Sequence, residues 1–589
     1  MIEPRVYRAA FMPAVLAVVL AMFSLEGQPP AVPLDLAADV LFQGDSAGDT
    51  AAQIARQQPD RRPGTPGDAA AADLVAARFT EHGFDVEVDE FEAGGEALVN
   101  VVGTRSGSAR ERIAVIAARD ADAVPDVSGS AADTAALLEL AAALEGRAPE
   151  KTIVLASIDG STFGDAGARR FAETVADREL IEAALVLSDV GAADPDGPRL
   201  VAWSNDLERG SVGLDRTAGE ALRSEFESAS GGERASTQLA QLALPVGIGA
   251  QGVLLEHGIE AVRFSGSGVL PPDPEPSEAD ADRIGGIGRA VLQTVSAIDA
   301  AESLEHGPSS YVTVGRNLLP GWAVSVLALC LLLPACVASV DAFARARRRR
   351  QPVGRWGSWL TARIVPFAVG LLVALLLVVT GLAPDAGGAA PAPSIDPLDA
   401  GAVALLGVVA ASIALAWLFL RPLLGRWGGA PADPTAPGAG CTLALVISAV
   451  ALLVWLLNPW AALALVPAAH LWTLAALYEG PRRTRARALM VAGGLALPAA
   501  VALSYMVRLS LDPVDALWYL FLLVTGGQVD LLGALVGCVL LGALASVIEI
   551  VAAWRGRTEA VEETAPTVRG PGGYAGPGSL GGTESALKR

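Results

Sequence analysis

Histidine, cysteine and lysine are nearly missing from this chain of 589 residues. The four cysteines, Cys330, Cys336, Cys441 and Cys538, all fall in apolar runs, so neither a disulfide framework nor a Cys-x-x-Cys zinc site can be drawn. Lysine occurs only at Lys151 and Lys588, and arginine supplies the remaining positive charge. With the excess of alanine and glycine, this reads as GC-rich coding bias. The net charge of −21 excludes a nucleic-acid partner, which demands a concentrated basic face. No Gly-x-x-x-x-Gly-Lys phosphate loop occurs.

What is present divides the chain in two. Apolar residues make up 52 % of it, yet charged residues still reach 18 %. Most Asp and Glu lie in 26–315, whereas 316–554 is largely Leu, Ala and Val. Residues 9–25 form an apolar run behind Arg5 and Arg8. No Ala-x-Ala site follows, so the run is read as an uncleaved anchor in preference to a cleaved signal peptide. Seven later runs reach the roughly 20 residues that a membrane helix needs. They lie near 318–343, 359–382, 400–420, 439–457, 459–478, 488–507 and 530–554.

The arginines alternate with these runs. Arg345 to Arg350 follow the second span, Arg421 and Arg426 the fourth, Arg482, Arg483, Arg485 and Arg487 the sixth, and Arg555 and Arg557 the eighth. The loop at 383–399 is not basic. Eight spans with both termini cytoplasmic and residues 26–315 extracytoplasmic satisfy the positive-inside rule. The expected protein is therefore a multi-pass cell-membrane protein. Its parts are an anchor at 1–30, an extracytoplasmic domain at 31–315, a seven-span block at 316–557 and a disordered cytoplasmic tail at 558–589. Residues 515–526 are too short to span and are read as an interfacial or re-entrant helix. Arg363, His470 and Glu549 are polar positions in or near the spans. Such groups are functional suspects in a transporter, although Arg363 and Glu549 lie near cytoplasmic ends, where they can snorkel.

In the domain, short β-rich runs alternate with helices. Strands are expected near 84–91, 97–103, 112–118, 152–158, 184–189, 198–203 and 259–264. The class is α/β, with a mostly parallel central sheet flanked by helices, beside an all-α membrane part. Sites in such sheets form at the C-terminal ends of strands, here 119–133, 159–165 and 189–195.

Five segments in this order, RRPGTPGDAAAADLVAARFTEHGFDVEV, IAVIAARDADAVPDVSGSAADTAALLELAAAL, KTIVLASIDGSTFGDAGARRFAE, ALVLSDVGA and HGIEAVRFSGSG, resemble the zinc-dependent aminopeptidases of metallopeptidase family 28 over about residues 46–300. That resemblance implies two zinc ions held by two histidines and three carboxylates, with a glutamate as general base. The family's His-x-Asp motif falls on Arg119, Asp120 and Ala121. The bridging aspartate falls on Asp133, the adjacent glutamate pair on Ser161 and Thr162, and a further ligand on Asp189. No histidine occupies 258–305 for the last position. Two of five ligands remain, so no zinc cofactor is expected. Arg119 is expected to stand in for the metal as a structural charge between Asp133 and Asp189. Solvent exposure of Arg119 is the plainer alternative. The aspartates themselves suit a solvated loop, an oxygen-only calcium site in 120–133, or helix N-termini.

The Gly-x-Ser-x-Gly string at Gly44, Ser46 and Gly48 lacks the preceding core strand of a hydrolase elbow. The arrangement of one span, a peptidase-like domain and seven spans also resembles the scaffold subunit of the eukaryotic GPI-anchor transamidase. The leading expectation is a non-catalytic ectodomain that binds a peptide, protein or envelope component, with membrane lipid around its anchor. The alternatives are a divergent membrane-bound zinc aminopeptidase and a transporter or lipid-handling protein whose ectodomain is a lid.

Overall fold

The computed structural model describes residues 4–34, 41–121, 124–193, 197–227, 233–270, 278–384, 387–477 and 484–564. Arg482, Arg483 and the segment 565–589, most of the expected tail, lie outside them.

Strands β2 (Asp85–Ala93), β3 (Glu96–Arg105), β4 (Arg112–Ala118), β5 (Thr152–Ile158), β6 (Ile181–Ser188), β7 (Arg199–Val201) and β8 (Ala261–Ser265) build one seven-stranded sheet in the order β2-β3-β5-β4-β6-β8-β7. β5, β4, β6 and β8 run parallel. β2, β3 and β7 join antiparallel, so the sheet is mixed where a mostly parallel one was expected. The reason is local. β2 and β3 are joined by the tight turn at Gly94 and Gly95, both at positive φ, and a hairpin must pair antiparallel.

Of the four parallel strands, β4, β5 and β6 are largely apolar runs because helices cover both of their faces, whereas β8 carries Arg263 at its centre. β2 is largely exposed and acidic, as suits an edge that must not recruit another strand. One apolar layer packs β4, β5 and β6 against helices Gly44–Gln57, Ala132–Ala143, Val212–Glu225 and Ala281–Ala300. The other packs them against Ala166–Thr174 and Ala250–Glu256. Ser46 lies inside the first of these helices and donates to Glu139 Oε2 at 3.0 Å, so its string is a helical turn and no elbow.

A second, three-stranded sheet joins β1 (Glu26–Gly27), β10 (Asn317–Pro320) and β9 (Tyr311–Val314), all antiparallel. It pairs the chain leaving the first membrane helix with the chain about to enter the second.

Among the described residues, seven helices are long and apolar enough to cross a membrane: Arg5–Phe23, Gly321–Arg348, Val353–Val379, Ala400–Trp427, Pro437–Leu457, Pro459–Leu477 and Leu531–Arg555. An eighth crossing is available if Arg485–Gly494 and Ala496–Arg508, bent by 47°, form one span. The last helix continues to Thr564, into the segment expected to be disordered. Pro513–Thr525 is a short apolar helix, capped reciprocally by Asp512 and Asp515.

The polar membrane residues are tied to partners. Arg363 is buried and grips Glu549 through two hydrogen bonds of 2.5 and 2.6 Å. Arg421 stands 3.3 Å from the same carboxylate. The three form an ion cluster that is buried at Arg363 and partly exposed at Arg421 and Glu549. His470 Nε2 donates to the Leu331 carbonyl at 2.8 Å, leaving Nδ1 to accept from the Tyr7 hydroxyl at 2.7 Å. His470 thus fastens the first membrane helix to the bundle.

Candidate functional site: a crevice sealed by the membrane domain

The parallel strands β4, β5, β6 and β8 end on one side of the sheet, and the chain leaving each of them contributes to one crevice. Arg119 and Asp120 follow β4, and Asp159 to Ser161 follow β5. Asp189 follows β6, Ser267 follows β8, and Asp133 projects from helix Ala132–Ala143. A cavity of about 540 Å³ lies among them, lined by Asp120, Asp133, Ser161, Thr162, Asp165, Asp189 and Arg263.

Arg119 is fully buried and does not lie between Asp133 and Asp189. Its Nη2 donates to Asp68 Oδ2 at 3.0 Å and lies 3.1 Å from Asp159 Oδ2, while Nε is 3.0 Å from Asp68 Oδ1. The guanidinium is a structural charge, as expected, but its partners are different. Asp68 sits in the first turn of helix Pro66–Glu81, and Asp159 leaves the end of β5. The side chain therefore turns under the sheet instead of across the crevice. Asp159 is held further by the amides of Val99 (3.0 Å) and Gly160 (2.6 Å). Arg61, also buried, braces the loop after β4. It donates to the Arg119, Pro125 and Asp126 carbonyls and to Ser130 Oγ.

Asp120 and Asp133 are buried and Asp189 is half-buried, and all three are held by hydrogen bonds. Asp133 accepts the amides of Asp189 and Val190, each at 2.9 Å. Asp189 accepts the hydroxyls of Ser188 (2.9 Å) and Ser267 (2.8 Å). Asp120 Oδ2 accepts both the amide (2.9 Å) and the hydroxyl (2.8 Å) of Ser161. Neutral amide and hydroxyl donors thus hold all three carboxylates. Arg263 of β8 acts on Asp189; it is buried, with Nη2 on the Val269 carbonyl at 3.0 Å and Nη1 3.4 Å from Ser188 Oγ.

This donor set does not fit two zinc ions. The first-ligand position is a cation already bound to two carboxylates, and no imidazole lines the cavity. Among the described residues no group of three or more His, Cys, Asp or Glu is arranged to hold a metal ion. His82 bonds Glu145 across the surface, and His257 bonds the Val253 carbonyl of its own helix.

Burial dominates the acid strengths. It opposes ionisation of Asp68, with Asp159 adding to the rise, while the paired Arg119 pulls the other way. It pushes Asp165 to about 7 and Asp120 to about 6, the latter against its two bonds from Ser161. Asp133 and Asp189 are raised too, again chiefly by burial, each with a further carboxylate adding to the rise. A carboxyl whose folded value lies above its unfolded value near 4 keeps its proton in the native state after the unfolded chain has lost it. Stability therefore falls as pH rises across that interval. The α/β domain is expected to unfold at lower temperature at pH 8 than at pH 5.5, and Asp165→Asn to flatten part of that slope. Asparagine suits the left-handed φ of +53° at this position. Thermal scans of the full chain in detergent at the two pH values check both points.

The membrane part covers one side of the crevice. The loop after helix Val353–Val379 folds up over it, and Ala390, Pro391, Ala392, Ser394 and Ile395 complete the cavity wall. Gly387 and Gly388 start this segment at φ of +68° and +82°. A side chain at Gly387 would meet the Phe163 carbonyl at 3.1 Å, so glycine allows the close approach. The Gly387 carbonyl accepts from Arg169 Nη1 at 2.9 Å. Ala389 is buried against the α/β core, and Ala390 and Ala392 pack with Val246, Ile248 and Tyr519. From beneath, helix Pro513–Thr525 holds the segment: Tyr519 donates to the Pro391 carbonyl at 3.1 Å and Trp518 Nε1 to that of Asp396 at 2.8 Å.

No family model matches this chain, and no curated protein does. Among solved structures, it is similar to a leucine aminopeptidase precursor from Bacteroides thetaiotaomicron, at 16 % identity with a TM-score of 0.37, covering 46 % of this chain and 99 % of that one. It is also similar to the glutaminyl cyclase of Fimbriiglobus ruber, at 17 % identity and a TM-score of 0.37, covering 46 % and 98 %. A third likeness is to a zinc aminopeptidase from Bacillus subtilis, at 13 % identity and a TM-score of 0.35, covering 45 % and 99 %.

Proposed function

We propose that this chain is a polytopic membrane protein whose extracytoplasmic α/β domain is a zinc-aminopeptidase-like module serving as a non-catalytic scaffold. The observation that carries this reading is Arg119. Where the resemblance requires an imidazole, a guanidinium is locked between Asp68 and Asp159, and a cation in that place repels a metal ion instead of binding it. With Ser161 and Thr162 in place of the glutamate pair, the chain also lacks the base that would activate water.

The crevice closed by Ala390 to Ile395 supports a scaffold over a free peptide receptor, since the domain's own groove is engaged by its membrane part. The partner, a protein or another envelope component, then docks elsewhere on the domain. The proposed orientation has residues 26–315 outside and both termini in the cytoplasm. Its support is that the links touching the α/β domain, at 387–396, at Asn458 and at Gln528, are the arginine-poor ones.

The full chain purified in detergent is expected to carry no near-stoichiometric zinc and to leave aminoacyl amides intact, with or without chelator. Two zinc equivalents together with chelator-sensitive hydrolysis would return it to the metallopeptidases.

A further inference from the structure

Strand β2 ends the seven-stranded sheet, and it is long, with nine residues from Asp85 to Ala93. β3 pairs with it along its whole length, and among the described residues no backbone hydrogen bond reaches β2 from its other side. In an antiparallel pair every second residue turns its amide and carbonyl away from the partner, so about four residues of β2 offer a donor and an acceptor outward. Helix Ala166–Thr174 lies beside this edge. Arg170 ties the two together, with Nε and Nη2 each donating to the Asp89 carboxylate at 2.8 Å. Between strand and helix runs a groove of about 470 Å³, lined by Glu90, Phe91 and Glu92 from β2 and by Ala166, Arg169 and Glu173 from the helix.

The charge along this edge is of one sign. Asp85, Glu87, Glu90 and Glu92 are all exposed, and among the described residues none of their side chains takes part in a hydrogen bond or ion pair. Successive residues of a strand point to opposite faces, so Asp85 and Glu87 flank one side of the edge and Glu90 and Glu92 the other. Glu173 adds a carboxylate from the helix wall. The two arginines of the groove are engaged: Arg170 is held by Asp89, and Arg169 donates to the Gly387 carbonyl at 2.9 Å. Counted one for one against the carboxylates, they still leave the groove acidic. Val88, 52 % exposed, and the half-buried Phe91 supply apolar contact beside the charges.

We propose that this edge and its groove dock an extended, basic segment of a partner protein, which joins the sheet as a further strand beside β2. Main-chain hydrogen bonds supply the grip, and alternate lysine or arginine side chains of the segment meet the carboxylates. The acidity that keeps β2 from recruiting strands at large also selects among them. An acidic strand is repelled and a neutral one leaves the carboxylates without counter-charge, whereas a basic strand neutralises them. A second copy of this chain is disfavoured, because its own β2 brings the same row of negative charge. The inference rests on the scaffold reading, to which it gives a docking place. That reading keeps its separate test in zinc content and amide hydrolysis, so either can fail without the other.

The test is fluorescence polarisation of labelled peptides titrated with the full chain in a non-ionic detergent. The probes are a peptide of about ten residues alternating lysine and valine, its glutamate–valine counterpart, and the lysine peptide with alternate backbone nitrogens methylated. Methylation removes the donors for strand pairing and leaves the charge. The unmodified lysine peptide is expected to bind about tenfold or more tightly than either of the others. Glu90→Lys with Glu92→Lys is expected to weaken that binding about tenfold. Glu302→Lys with Glu305→Lys makes the same change of charge past the end of helix Ala281–Ala300, on the other face of the sheet, and is expected to leave binding unchanged. All four positions are exposed, so the fold is retained. Equal binding of the methylated peptide overturns strand addition. No binding of the lysine peptide, wild-type binding in the Glu90 and Glu92 variant, or an equal loss in both variants overturns the site. Dimerisation of the wild-type chain that the Glu90 and Glu92 variant abolishes would place a second copy on this edge and overturn the partner.

Discussion

Replacing Arg119 with methionine is expected to cost the α/β domain about 3–5 kcal/mol, because the cut leaves Asp68 and Asp159 buried without their shared counter-charge. A marginally stable domain loses much of its folding free energy at that magnitude. Protease resistance of the domain in the full chain, followed through a urea series, reads the loss. The membrane helices serve as the internal reference, since they share none of these contacts. Adding Asp68→Asn and Asp159→Asn to the Arg119→Met chain is expected to restore a large part of the stability, because neutral amides need no cation. Wild-type resistance in the single variant would show that the guanidinium is incidental. A loss left unchanged by the two asparagines would point to lost packing instead of stranded charge.

The second large effect concerns the sealed crevice. Ser161 lines the cavity beneath Pro391 and Ile395. A cysteine placed there, by Ser161→Cys, is expected to react slowly with a membrane-impermeant thiol reagent in the intact chain. With residues 390–395 replaced by a glycine-serine segment of equal length, labelling is expected to accelerate about tenfold or more, as buried sites do when their cover opens. The native cysteines all lie on membrane helices, and Ser161→Ala carries the correction for their background. Equal labelling rates with and without the native segment would mean that reagent already reaches the crevice past the loop. A Tyr519→Phe chain, which loses one anchor of the Pro391 carbonyl, is expected to fall between the two.

Different parts of this architecture were legible in the sequence to different degrees, for physical reasons. The inner strands announced themselves as apolar runs because both of their faces are covered. The antiparallel edges did not, since pairing direction is set by how the chain returns and leaves no mark on the strand's own composition. Seven of the eight expected membrane runs correspond to apolar helices long enough to span, and 488–507 to a pair bent by 47°, because length and hydropathy are properties of the segment alone. Arg119 was singled out from its place in the motif, but its partner was not. Asp68 lies 51 residues upstream, in a helix start where an aspartate needs no other explanation than the helix dipole.

Arg263 was missed although it interrupts an otherwise apolar strand, and that interruption was the available signal. Arg61, within a quoted segment, was missed because a surface arginine reads the same way in sequence. The segment 390–395 carried no signal: it is a short run of alanine, proline and serine whose role comes from where two domains place it. The contact of nearby Gly387 with Arg169 spans 218 residues of chain.

The small sheet of β1, β9 and β10 has a mechanical consequence. Glu26 pairs with Leu318 and Gly27 with Asn317, so the polypeptide leaves the bilayer and returns to it through two laterally bonded strands, about 5 Å apart. The α/β domain therefore stands on a double stem. A single tether would let it swivel freely, whereas here any tilt must shear a hydrogen-bonded strap. Force applied to the domain is then delivered to the first and second membrane helices together, at the ends that face it.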